Sequence, residues 1–129
     1  MITLPIYYTK TYKTKPDKTI LVGLNWFRNA VHFEQNEVKK HYHDLIASSA
    51  LPPPTPGTYR LEIIVYYKNS ACDGSNIASM FEKFILDSFQ TLNVVKQDNV
   101  KYHYGTIWSI GGQDTTNPRV EITLKDYNE

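Results

Sequence analysis

Two apolar rhythms divide the chain. From His32 to Ser49 the apolar side chains Val38, Tyr42, Leu45 and Ile46 recur every three or four residues, and from about Ser75 to Leu92 the residues Ile77, Phe81, Phe84, Ile85 and Leu92 do the same. That period places each set on one face of an α-helix. Elsewhere the pattern is that of strands. "TYRLEIIVYYK" (58–68) is dense in β-branched and aromatic residues, "VKYHYGTIW" (100–108) alternates Val, Tyr and Tyr with Lys, His and Gly, and "RVEITLK" (119–125) alternates again; such segments suit a pleated, partly buried surface. Residues 2–13 and 18–24, rich in Ile, Tyr, Thr and Val, flank "KTKPDK", where Pro16 and Asp17 suit a turn, so a hairpin is expected there. "LPPPTPG" (51–57) cannot continue a helix, because proline lacks the amide donor and steers its predecessor towards extended backbone. "GGQDTTNP" reads as a hairpin loop between the last two strands. The order predicts a single small α/β (α+β) domain over residues 1–129, with one mixed or mostly antiparallel sheet and two main helices packed on it.

Composition narrows the reading. A chain of 129 residues, 41% hydrophobic, can bury one core and is too short for two ordinary domains. Its 14 Lys and Arg nearly match 13 Asp and Glu, so no global field marks a nucleic-acid or membrane partner and any basic surface must be local. Cys72 stands alone, which excludes an internal disulfide and a thiolate zinc cluster. The start "MITLPIYYTKTYK" lacks a signal peptide's apolar run, and no stretch of 18 apolar residues is present. A soluble intracellular protein without a membrane partner is expected.

Candidate chemistry gathers around the second helix. Asn76, Met80, Lys83 and Asp87 repeat at the helical spacing one residue before the apolar stripe, and so border it. Asp73 stands at the helix mouth, where a carboxylate accepts from free backbone amides. Capping alone explains Asp73, and a solvated i,i+4 pair alone explains Lys83 and Asp87. A third acid, Asp98 in "NVVKQDNV", precedes the next strand. If that turn packs on the helix flank, Asp73, Asp87 and Asp98 converge on one hard cation. Mg²⁺ suits such a site, since it takes one or two carboxylates together with phosphate oxygens, and a nearby lysine neutralises phosphoryl charge.

In this order the motifs resemble those of the RusA family of phage and prophage Holliday-junction resolvases. That family carries an Asp-x-Asp-Asn turn, a helix with Lys and Asp four apart, and an acid before the next strand. Here the turn is "DGSN" (73–76), the helix segment "KFILD" (83–87) and the later acid lies in "KQDNV" (96–100); "GLNWFRNAVHF" (23–33) and "NPRVEITL" (117–124) are similar to its first and last segments. Ser75 replaces the second acid of the turn. Counting forward from Asp73 puts Ser79 at the family's lysine position, whereas counting back from Asp98 puts Lys83 and Asp87 in register. The second count is preferred, because four extra residues return Lys83 to nearly the same helix face, about 6 Å along it.

The resemblance implies a Mg²⁺-dependent endodeoxyribonuclease, with Mn²⁺ as a substitute ion and no small-molecule cofactor. It would nick opposing strands of a four-way or branched DNA as a two-fold homodimer, in a bacterial or phage-infected cytoplasm. On that carry-over Asp73 and Asp98 are metal ligands, with Asp87 as a further ligand or a partner of Lys83. Lys83 contacts phosphate or acts as an acid, Asn76 orients the turn or a water, and Ser75 holds a water. A junction-binding protein that has lost hydrolysis is the alternative, and a small partner-binding module is the third reading.

Other residues invite the same surface. Lys10, Lys13, Lys15 and Lys18, interleaved with Tyr7, Tyr8 and Tyr12, suit contacts to a DNA backbone, although lysines also protect edge strands. Asn25, Arg28 and Asn29 read as a polar loop placed to touch phosphate, and Lys68 and Arg119 as possible edges of the DNA path. His32, His41 and His43 are expected at the surface rather than as a ligand set, since positions two apart diverge on a helix.

Overall fold

A computed structural model of the chain describes residues 1–126; the last three residues of the expected 1–129 domain lie outside the described residues. The elements are β1 (Ile2–Pro5), β2 (Tyr7–Lys10), β3 (Lys18–Leu21), α1 (Leu24–Asn29), α2 (His32–Ala47), β4 (Tyr59–Tyr67), α3 (Gly74–Thr91), β5 (His103–Gln113) and β6 (Arg119–Asp126). This is the expected α+β class. β1, β6, β4 and β5 form one sheet in that order, and β2 and β3 pair as a separate antiparallel hairpin. No helix among the described residues is long and apolar enough to cross a membrane.

β4 is the sheet's organiser. Its alternation buries Tyr59, Leu61, Ile63 and Val65 on the helix-facing side and leaves Arg60, Glu62, Ile64 and Tyr66 half-exposed on the other. It pairs antiparallel with β6 and parallel with β5. A parallel pair needs a long crossover, and α3 provides it. This corrects the expected hairpin at "GGQDTTNP": β5 and β6 lie on opposite sides of β4, so the segment crosses from one to the other instead of joining neighbours. Asp114 closes that turn, accepting from Thr116 N, Thr116 Oγ1 and Asn117 N through Oδ1 and from Arg119 through Oδ2 at 2.8 Å.

α2 and α3 cover the buried face. The predicted stripe of α3 is buried at Ile77, Phe81, Phe84 and Ile85, and Met80 joins it with no exposure, whereas Leu92 is half-buried. Tyr42 of α2 stacks on Phe84 at 5.0 Å and meets Phe81 edge-on at 5.1 Å, while its hydroxyl donates to Pro5 O at 2.6 Å. One side chain thus ties α2 to α3 and to β1. Burial pushes that phenol far above its ordinary pKa.

Glu34 is the buried acid that the sequence pattern does not announce. Its carboxylate, 5% exposed, accepts from Trp26 Nε1 at 3.0 Å and Lys18 Nζ at 3.1 Å, with Lys10 Nζ at 3.9 Å. It therefore joins the β2–β3 hairpin and α1 to α2. Burial penalises its charge, but the indole donor and the two ammonium groups outweigh that and hold its pKa below the usual value. A lowered folded-state pKa gives stability that is present above the unfolded value and lost as pH falls through the folded one. Thermal melts between about pH 7 and about pH 3 should therefore fall more steeply for the natural chain than for Glu34→Gln. Parallel curves would contradict this role.

Candidate functional site

The chain leaves β4 at Tyr67 and reaches α3 through residues 68–73. Asp73, extended in backbone, is the N-cap: its Oδ1 accepts from Ser75 N at 3.1 Å, Ser75 Oγ at 3.1 Å and Asn76 N at 3.3 Å. All three bonds fall on one oxygen. Among the described residues no donor bonds to Oδ2, and the side chain is exposed, so half of the carboxylate remains available. Gly74 lies tight against the sheet, since a Cβ there would sit 2.8 Å from Ile110 Cδ1 and from a ring carbon of Trp108.

Asn76 does a different job. Its Oδ1 accepts from Asn25 N at 2.7 Å, which fastens the first turn of α1 to the first turn of α3. Buried Gly23 permits this closeness, because a Cβ at that position would collide with the Asn76 amide. Gly23→Ala should push the Asn76 side chain aside and loosen α1 while leaving the sheet intact. Faster hydrogen exchange confined to the Asn25 amide and its neighbours checks this, and unchanged exchange there would refute it.

Between the two helix starts lies a pocket of 210 Å³ lined by Leu24, Asn25, Arg28, Asp73, Ser75, Asn76 and Ser79. It combines one carboxylate, one guanidinium, two amides and two hydroxyls at a helix N-terminus. Backbone amides and the dipole there favour an anion, and a carboxylate beside them offers a hard oxygen to a cation.

The sequence-predicted residues divide. Asp73, Ser75, Asn76, Asn25 and Arg28 meet in this pocket. The segment read as a loop around Arg28 is the short helix α1, and six residues are too few to display a period. Ser79 lines the pocket and Lys83 does not, so the forward count from Asp73 describes the wall of this site. Lys83 is exposed one turn further, its Nζ 5.9 Å from the centre of the Phe27 ring, on the flank that faces α1. Asp87 lines another pocket with Lys39, Lys40 and His43, about 20 Å along α3 from Asp73.

Asp98 lies further still. It follows α3 on the approach to β5, and its charge, secondary to burial, helps raise the Tyr59 phenol to about 12. Tyr59 begins β4 whereas Asp73 follows its end, so roughly the strand's length, about 26 Å, separates the two acids. The three aspartates do not converge within one chain. Among the described residues no three His, Cys, Asp or Glu side chains are grouped to hold a metal ion. The parallel crossover is the reason: it returns the chain to the far end of the sheet before the next strand begins.

The lysines of the hairpin are partly committed. Lys10 lies 3.9 Å from Glu34 and 3.6 Å from Glu37, and Lys18 is bound to Glu34, while Lys13 is exposed. Lys68 sits 5.6 Å from the Tyr7 ring centre, and Arg119 is held by Asp114 and Glu121. His41 and His43 are half-buried rather than surface residues: His41 packs edge-on against Tyr8 and Tyr42, and His43 Nδ1 lies 3.1 Å from Ser88 Oγ. Burial holds the His41 imidazole below its usual pKa, against the pull of Asp44.

Fold and pocket together define a small α+β domain with a polar pocket at the start of its crossover helix. No protein-family model matches the chain, and no curated protein is found similar to it.

Proposed function

We propose that the protein is a Mg²⁺-dependent endodeoxyribonuclease acting on four-way and related branched DNA, working as a homodimer in a bacterial or phage-infected cytoplasm during recombination, repair or replication. The observation that supports this most is the pocket itself, where Asp73, with its Oδ2 left open, and Arg28 of α1 line one space with the residues that open α3. Asp73 Oδ2 is the protein oxygen for the ion, and Ser75, donating to Oδ1, fixes the carboxylate's orientation. When bound, Mg²⁺ supplies Lewis-acid polarisation of a phosphoryl oxygen. Arg28 neutralises the phosphate, Asn76 holds α1 and hence Arg28 in place, and exposed Lys83 adds positive charge on the adjoining flank. Two opposing nicks across a two-fold junction require two such pockets, which a C2 dimer provides.

A second reading is favoured by one specific feature: the pocket presents a single carboxylate, with Ser75 where the resemblance has an acid. A protein of this kind would bind the junction without hydrolysing it. A synthetic four-way junction incubated with the protein and Mg²⁺ separates the readings. Symmetric nicks are expected for the first reading and a retarded, uncut complex for the second; neither cleavage nor retardation contradicts both. Lys83→Gln should weaken junction binding evenly across sequences and reduce the salt dependence of log K by about one phosphate contact. An unchanged salt slope would place Lys83 outside the DNA path.

A further inference from the structure

The proline connector "LPPPTPG" (51–57) returns along the C-terminal end of α3, where Thr55 N donates to Val94 O at 2.8 Å. Proline fixes its own φ, so this wall is stiff. The facing wall is fixed by bonds. Asn93, in left-handed backbone at φ 60°, reverses the chain after α3, and the amides of Leu92, Asn93, Val94 and Val95 donate to the carbonyls of Ser88, Gln90 and Phe89. Between the two walls lies a cavity of 560 Å³ lined by Pro54, Thr55, Pro56, Asn93, Val95 and Lys96. The length of α3, about 27 Å, separates it from the Asp73 pocket.

Thr55 is the unexplained member. It is only 6% exposed, yet among the described residues nothing bonds its hydroxyl. A buried hydroxyl without a partner lowers the stability of a fold, and a valine of the same shape would avoid that loss. The other lining groups give the cavity a definite chemistry. Pro54 and Pro56 offer apolar rings, and the Asn93 amide offers both a donor and an acceptor. Lys96 brings an exposed ammonium, and none of the described lining residues is acidic. The carbonyls that make a helix end negative are already taken by the amides of residues 92–95, so the charge left to the site is positive.

We propose that this cavity binds a small heterocyclic anion of the nucleoside monophosphate class. Its ring lies against Pro54 and Pro56, its phosphate stands at Lys96, and the polar edge of its base bonds to the Asn93 amide and the Thr55 hydroxyl. Rotation of Thr55 about χ1, from one staggered well to another, turns the shielded hydroxyl towards a molecule held there. The volume falls within the roughly 300–1,000 Å³ of small-molecule sites. The same chemistry reaches the protein as a free nucleotide or as the 5′ end of a DNA strand. No cut and no metal ion is involved, so the site stands apart from the nuclease reading.

Amide chemical shifts of isotope-labelled, metal-free protein, titrated with deoxyadenosine monophosphate, test the proposal. The amides of Thr55, Gly57 and residues 93–96 should shift and saturate, with a Kd on the order of 0.1–1 mM. Deoxyadenosine alone and inorganic phosphate alone should each bind at least about tenfold more weakly, since each lacks half of the contacts. Lys96→Gln should weaken binding about threefold, as expected for one exposed charge pair. Thr55→Val should weaken it about fivefold while leaving Tm unchanged or higher, because the unpaired hydroxyl is removed along with its bond to the ligand. A 5′-phosphorylated tetradeoxyadenylate distinguishes the sources: saturation by this strand alone assigns the site to strand ends, and saturation by the mononucleotide assigns it to free nucleotides. Shifts confined to residues 24–28 and 73–79, or no saturable shift at 93–96 with either probe, overturn the site. Inorganic phosphate as effective as the nucleotide reduces it to an adventitious ion only and overturns it too. Undiminished binding by Thr55→Val, or a lower Tm, does the same.

Discussion

Asp73→Asn is expected to abolish junction cutting, lowering the rate at least about 100-fold, the scale on which loss of a metal-holding carboxylate acts. The fold should survive. Asparagine caps a helix about as well as aspartate, and its side-chain oxygen can keep the bonds from Ser75 N and Asn76 N that Asp73 Oδ1 now accepts. What disappears is the charge at Oδ2. Removing it from a pocket that also holds Arg28 should leave junction affinity unchanged or higher, since less negative charge then faces phosphate. Asp73→Ala separates the two roles by deleting the cap as well, at about 1 kcal/mol of stability. If Asp73→Asn cuts as the natural protein does, the residue is a cap only.

Phe81→Ala should have the largest effect on stability, about 3–5 kcal/mol. Phe81 is fully buried, edge-on to Tyr42 at 5.1 Å and to Phe84 at 5.6 Å, where α2 and α3 meet beneath the sheet. Its ring cannot be replaced by local collapse, because the neighbouring rings are held in place: Tyr42 of α2 by its bond to Pro5 O, and Phe84 by stacking on Tyr42. A loss of that size is a large share of the about 5–15 kcal/mol that holds a domain together. Urea titration should show the midpoint falling sharply at constant slope. A loss under about 1 kcal/mol would show that this aromatic cluster is not the mechanical link between the helices.

Much of the fold was legible in the chain because its elements are long and periodic. α2 and α3 carry enough turns for a stripe to repeat, and β4 carries four buried residues in strict alternation. What escaped depended on contacts across the sheet. The pairing of β4 with both β5 and β6 leaves no local mark on either strand, so "GGQDTTNP" resembled a hairpin although β4 intervenes. The same parallel crossover separates Asp73 from Asp98. Sequence distance of 25 residues says nothing about which end of the sheet the chain returns to. Within the candidate site, Asp73, Ser75 and Asn76 were legible because a cap is local, and Asn25 and Arg28 were legible only as polar residues. Their place beside α3 is set by Gly23, whose missing Cβ lets the Asn76 amide reach Asn25 N. Ser79 was visible from its spacing to Asp73, yet helical periodicity could not tell whether it or Lys83 lines the site.

A Mg²⁺-dependent nuclease of this kind requires the Asp73 pocket to take a divalent ion. Mn²⁺, added in steps to isotope-labelled protein, broadens amide resonances near the bound ion. Amides of residues 73–79 and 24–28 should broaden first, Mg²⁺ should reverse the effect, and Asp73→Asn should eliminate it. Broadening that begins around Asp87 or Asp98 and spares Asp73 would contradict the account.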